Sequence, residues 1–280
     1  MNKIIIGTAQ FGLNYGINNK SGKISQKKIN DIIRFCIKSK IFIFDTSQNY
    51  GDAESKIGNF IKKNNTNLKI ITKIKYEKFK SITTSINNLG ILPYAVLFHN
   101  FKDYLNKPFK KKILSECKTL GIKKIGVSVY KGDDVNKIIS STDINIVQLP
   151  LNIIDKFFLQ NKTLDKLKEK KIEIHIRSIF NQGLLFVNKK KIKKNFPDLI
   201  KSLEIIDLIT NQNKMNIREL CLRWANSIKK VDKIIIGIDN LNQLKDNIMT
   251  LKKKKKLKLN SKTITLKYKK IKNLDPRTWK

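Results

Sequence analysis

Along the chain, short runs of β-branched and other apolar residues alternate with longer stretches in which apolar positions recur every three or four residues. The short runs are Lys3–Ile6, Ile41–Phe44, Lys69–Thr72, Tyr94–Phe98, Lys124–Ser128, Ile144–Gln148, Ile172–Ile176 and Lys233–Ile236. Each is mostly apolar, the pattern of parallel strands covered on both faces. The longer stretches read as amphipathic helices. Ser25 is placed to cap the first, with Ile29, Ile32, Ile33 and Cys36 on its inner face. Others begin near Ala53, Thr84, Lys110, Asp133 and Leu164. The interval 188–230 has room for two helices, one carrying Leu220, Leu222, Arg223 and Trp224, and a last helix spans Asn240–Leu251. Eight strand–helix alternations predict a parallel eight-stranded (β/α)8 barrel of the TIM type, with an open doubly wound sheet as the structural alternative. No linker or proline-rich segment interrupts residues 1–280, so one domain is expected, ending in a lysine-rich segment, 252–280.

Composition adds less than its extremes suggest. The formal net charge is +37, which ordinarily points to nucleic acid or an anionic membrane. Yet lysine far outnumbers arginine, asparagine and isoleucine are also abundant, and the lysines are spread along most of the chain. AT-rich codon usage produces that bias, and solvated helix faces accommodate it. Base-stacking aromatics are not interleaved with the lysines, so nucleic acid is not the expected partner. No apolar stretch approaches the roughly 20 residues of a membrane span, and the apolar run at 4–6 is too short for a signal peptide. A cytoplasmic protein is expected. The three cysteines, Cys36, Cys117 and Cys221, lie far apart and read as small core residues in a reducing compartment.

Candidate chemistry lies where the strands end, because parallel barrels carry their active sites at the C-terminal rim. The second run leads into Asp45 and Tyr50, the third into Lys73, and the fourth into His99. Taken singly, each has a plain reading: Asp45 as a helix cap, Tyr50 as packing, Lys73 as surface charge, His99 as a loop donor. His175, inside the seventh run, reads as structural, and the two histidines make no metal site by spacing.

Taken together, Gly7-Thr8-Ala9-Gln10-Phe11-Gly12, Asp45-Thr46, Tyr50-Gly51, Glu54, Lys73 and His99 resemble the aldo-keto reductase pattern. The resemblance covers nearly the whole chain. It continues through Gly126-Val127-Ser128, Gln148 with Asn152, Gln182-Gly183-Leu184-Leu185, and Ile236-Gly237 with Asn247. It implies an NAD(P)H-dependent oxidoreductase that reduces a small-molecule carbonyl without a metal. In that reading Tyr50 is the general acid, Lys73 supplies a positive charge beside it, Asp45 pairs with Lys73, and His99 orients the carbonyl oxygen. A cofactor-binding regulatory barrel without turnover, and a polyanion-binding protein, remain the competing classes.

The cofactor region departs from the family pattern. The resemblance implies that Ser128 and Gln148 hold the nicotinamide carboxamide, but Val129 replaces the asparagine that usually follows that serine. Arg177, followed by Ser178, stands where an aromatic often stacks on the nicotinamide, and it would face either an anionic substrate or the cofactor pyrophosphate. Where many relatives surround a 2′-phosphate with basic residues, this chain has Gly237, Ile238 and Gln243, with Lys245 and Lys252 as nearby cations. Either NADP(H) or NAD(H) is therefore expected to bind, with weaker discrimination than in relatives carrying the full basic cluster. The stretch 177–185 and the ending Asp275-Pro276-Arg277-Thr278-Trp279 further resemble a branch found in bacterial sugar and surface-polysaccharide pathways.

Overall fold

In a β-strand successive side chains face opposite sides, so every second residue of a barrel strand points inward. A computed structural model describes residues 3–17, 19, 22–160 and 162–253, and it shows that parity at work. The strands are β1 (Ile4–Gly7), β2 (Ile43–Asp45), β3 (Lys69–Ile74), β4 (Ala95–Phe98), β5 (Lys124–Ser128), β6 (Ile146–Pro150), β7 (Glu173–Arg177) and β8 (Lys233–Gly237). All neighbours pair in parallel, and β8 pairs with β1 from Ile4↔Ile234 to Gly7↔Gly237, which closes the barrel. Closure excludes the open doubly wound sheet.

Inside the barrel, Ile5, Ile71, Ala95, Leu97, Ile146 and Ile235 form one apolar cluster, with Ile43 packed against it. The alternate residues, such as Ile4, Ile6, Phe44, Ile70, Val96 and Val147, face outward into a larger core shared with the helices. The helix Gln26–Lys38 buries Ile29, Ile32, Ile33 and Cys36 as expected; Ser25 stands at its N-cap, but the side chain accepts no capping hydrogen bond. Later helices start a few residues from the predicted positions because asparagine and serine caps fix them. Ser81 accepts from Thr84 N, so that helix begins at Ile82, and Asn106 accepts from Phe109 N, so the helix expected near Lys110 begins at Lys107. The interval 188–230 holds three helices rather than two: Lys189–Asn195, Ile200–Gln212 and Ile217–Ser227. The cysteines are free and buried, and burial pushes the thiols of all three up to about 12.

Among the described residues no helix is long and apolar enough to cross a membrane. The expectations for most of the lysine-rich segment and for 275–279 fall outside the described residues.

Candidate active site

The inward parity that builds the apolar floor also builds the site above it. Two residues beyond Ile43 comes Asp45, beyond Ile71 comes Lys73, beyond Leu97 comes His99, and beyond Ile146 comes Gln148. Ser128, Arg177 and Gly237 end β5, β7 and β8 in the same register. The structure brings all of these to one cavity of about 550 Å³, together with Tyr50, Ser178, Gln243 and Asn247.

Lys73 and Asp45 form a buried ion pair, 1% and 3% exposed respectively, which disposes of the surface-charge reading of Lys73 and the helix-cap reading of Asp45. The second oxygen of Asp45, Oδ2, accepts from Gln148 Nε2 at 2.9 Å. Gln148 is thus partly committed to Asp45, with its oxygen and one amide proton left over. The Lys73 ammonium sits 5.0 Å from the Tyr50 ring centroid. Burial pushes the ammonium pKa down, and the Asp45 charge opposes that shift. Tyr50 meets His99 edge-to-face, with ring centroids 5.8 Å apart. Burial, and then the Asp45 charge, hold the Tyr50 phenol well above its usual range, while the Arg177 charge pulls it down.

The Tyr50 turn reaches this place because two glycines permit a close approach. A Cβ on Gly12 would stand 1.7 Å from the Tyr50 carbonyl oxygen. Gly51 has φ +56°, and a Cβ there would stand 2.4 Å from Gly12 O. Behind the turn Glu54, 2% exposed, accepts from Thr72 Oγ1 at 2.6 Å and from Asn88 Nδ2 at 3.3 Å, which ties its helix to β3.

His99 is held neutral. Burial first, then the charges of Lys73, Arg177 and Lys75, lower its pKa to about 3. Its Nδ1 lies 3.1 Å from Ser47 Oγ and 3.4 Å from Asn49 Nδ2. Asn49 Nδ2 can only donate, and where Nδ1 accepts, the ring proton must sit on Nε2. His175, 1% exposed, lies in the middle of β7, paired in register with Gln148, and its Nε2 is 3.2 Å from Glu173 Oε1.

Arg177 does not stand free in the cavity. Its guanidinium lies 4.1 Å over the Tyr130 ring centroid and donates to Val129 O at 3.0 Å. Ser178 follows with φ 60°, and Asn181, Gln182 and Gly183 are also left-handed. Gln182 O accepts from Ile17 N at 3.1 Å, so the loops after β1 and β7 are joined across the cavity rim. Tyr15 enters from the first of these loops, its phenol held above the usual range by burial and then by Tyr50.

At the β1–β8 side, Gln243 is paired with Asp239: Gln243 Nε2 donates to Asp239 Oδ2 at 3.1 Å, and Asp239 N donates to Gln243 Oε1 at 2.9 Å. Ile238 is 1% exposed and belongs to the core, not to the cavity. Lys245 and Lys252 are exposed and do not line the cavity, whereas Arg218 does. The residues that the sequence left without a role are Gln10, Tyr15, Ser47, Asn49, Tyr130, Arg218 and Asp239. Two of them carry a readable signal: Tyr130 and Asp239 continue the inward parity of Ser128 and Gly237 past the strand ends.

The sequence profile of the Aldo/keto reductase family matches residues 3–262. The chain belongs to the aldo-keto reductase family. A solved structure of a Pseudomonas aeruginosa protein described as a candidate aldo-keto reductase superposes with a TM-score of 0.63 over 89% of this chain and 88% of that one. At 15% identity that likeness speaks for the fold alone. No curated protein matches the sequence. Aldo-keto reductases are NAD(P)H-dependent oxidoreductases of small-molecule carbonyls. In this member the cavity suits such a cofactor on its own evidence. Its volume lies within the roughly 300–1,000 Å³ of small-molecule sites, and Gln10 Oε1 and Asn247 Oδ1 are buried there without hydrogen-bond partners among the described residues.

Proposed function

We propose that this protein reduces a carbonyl substrate with Tyr50 as the proton donor. The observation that carries the reading is the buried Asp45–Lys73 pair set beside Tyr50 and His99 on a single cavity. A nicotinamide cofactor, when bound, supplies the hydride. Ser128 and the uncommitted atoms of Gln148 would hold its carboxamide, and Gln10 and Asn247 would take its adenine end.

The protein's own part is to hold and move one proton. With its phenol pKa raised by burial, Tyr50 keeps its proton at neutral pH and is the acid form that reduction needs. When it gives the proton to the carbonyl oxygen, a phenolate is left at the foot of the cavity. The ammonium of Lys73 and the guanidinium of Arg177 then stabilise that phenolate. Asp45 keeps Lys73 charged, since an unpaired buried ammonium would lose its proton. Neutral His99, with Nδ1 accepting from Asn49 Nδ2 while the Ser47 hydroxyl donates to Lys73 O, turns Nε2–H toward the carbonyl oxygen and fixes its position. The cavity stretch 177–183 accords with a sugar derivative as the carbonyl compound, and the cytoplasm suits the free, buried cysteines. Nothing favours a barrel that binds cofactor without turnover.

The test is Tyr50→Phe, read at the nicotinamide absorbance with a panel of aldehydes and ketones. Losing a general acid lowers kcat by roughly 10² to 10⁴, while the cofactor Kd should move less than about twofold. Near-normal turnover in the variant would remove Tyr50 from this role.

A further inference from the structure

The cavity end between β1 and β8 presents unpartnered hydrogen-bond acceptors. Gln10, 8% exposed, and Asn247, 2% exposed, each present a buried side-chain oxygen without a partner among the described residues. Gln10 lies against Gly237, where an added Cβ would stand 3.1 Å from its Nε2. Asp239 faces the same cavity one inward position further along. Gln243 holds the Asp239 carboxylate by Oδ2 and braces its backbone N–H, which fixes the group and leaves Oδ1 for a ligand. The N–H of Gln243, in the first turn of the helix Leu241–Lys252, is taken by Asn240 Oδ1 at 2.9 Å, so that donor is not offered to an anion. Arg218 is the cation that lines this end, and its Nη1 lies 2.7 Å from Asp246 Oδ2.

Unpartnered amide oxygens and a fixed carboxylate call for a ligand that donates protons there. Ribose hydroxyls and an adenine amino group do so; a phosphate dianion donates none and is repelled. We propose that Asp239 is the specificity-determining residue of the coenzyme site and selects NADH over NADPH. Its carboxylate accepts the ribose 2′-hydroxyl, the chemistry by which an acidic side chain reads the same hydroxyl in dinucleotide-binding sheets, and its charge excludes a 2′-phosphate. This rests on the reductase reading above and goes beyond it, since the lack of a basic cluster alone predicts only weak discrimination.

Titration calorimetry of the whole protein with NADH and NADPH, each at low and high salt, tests it. NADH should bind at least about tenfold tighter, the ratio expected from one added charge-assisted contact. The ratio should survive high salt, because a direct contact is not screened as the general field of the +37 chain is. Asp239→Asn should narrow the ratio by about tenfold, mainly by tightening NADPH. Should that variant fail to fold, 5′-AMP and 2′,5′-ADP, which differ by the 2′-phosphate alone, give the same comparison on the wild-type protein, with 5′-AMP expected to bind tighter. A preference for NADPH or 2′,5′-ADP that persists at high salt, or an unchanged ratio in folded Asp239→Asn, overturns the assignment and leaves the reductase reading intact. If neither dinucleotide binds, both fall together.

Discussion

Two positive charges, not one, bear on Tyr50. Lys73 is paired with Asp45, whereas Arg177 is held by a carbonyl, a neighbouring serine and the Tyr130 ring, and among the described residues it makes no ion pair with a carboxylate. Its charge is therefore the less compensated of the two, and it lowers the phenol pKa against burial. Removing it leaves the phenol higher still. In the reducing direction the acid form is needed and a higher pKa costs little at neutral pH; in the oxidising direction the phenolate is needed. Arg177→Met is thus expected to shift the limb of alcohol oxidation to higher pH, with reduction near pH 7 much less affected. Lys73→Met should lower both, since it also strips Asp45 of its partner. A pH–rate profile in both directions checks this, and an oxidation limb that stays in place would show that Arg177 does not act on Tyr50.

At the scale of elements, most of the site was legible because a strand repeats every two residues. Once Ile43, Ile71, Leu97 and Ile146 are recognised as inward, Asp45, Lys73, His99 and Gln148 follow by counting. What counting could not give is partnership over distance. Gln148 and Asp45 are 103 positions apart in sequence, and the Arg177–Tyr130 stack joins β7 to the segment after β5, a strand that is not its neighbour. Nor does an apolar run say where a cap will stop a helix, which is why 188–230 holds a third. The Tyr50 turn belongs to this scale as well. It depends on Gly12, where even a methyl group meets the Tyr50 carbonyl at 1.7 Å. Gly12→Ala must push the two segments apart, at a cost of about 1–3 kcal/mol for overpacking. The expected result is a lower melting temperature together with a kcat loss, because the phenol is displaced; an active variant of wild-type stability would mean the turn adjusts freely.

Across the whole molecule, the barrel has a polar end on each side of its apolar layer. The upper one is the cavity, and the lower one is the pair Lys124 and Glu173 at the starts of β5 and β7, with Lys124 Nζ 2.8 Å from Glu173 Oε2 and His175 Nε2, mid-strand, 3.2 Å from Glu173 Oε1. His175 first, then Lys124, hold the Glu173 carboxyl down at about 2 in spite of burial, against its ordinary 4.5. A carboxyl lowered by folding contributes stability that is complete above its unfolded pKa and lost as pH falls toward the folded one. Melting temperature should therefore decline between about pH 4.5 and 2. Glu173→Gln should be less stable at pH 7 and show a shallower decline over that interval. An unchanged slope would show that other carboxylates govern acid unfolding.

The bond from Ile17 N to Gln182 O ties the loop after β1 to the loop after β7 over the cavity rim, with β8 between them. A long, two-headed molecule whose ends reach both sides of that tie cannot simply be laid into the groove or lifted out. It has to be threaded, or the tie has to part and re-form at each visit. The carbonyl compound, being small, is under no such constraint. The dinucleotide would then be first to arrive and last to leave, each passage opening that main-chain hydrogen bond, while the carbonyl compound comes and goes beneath it.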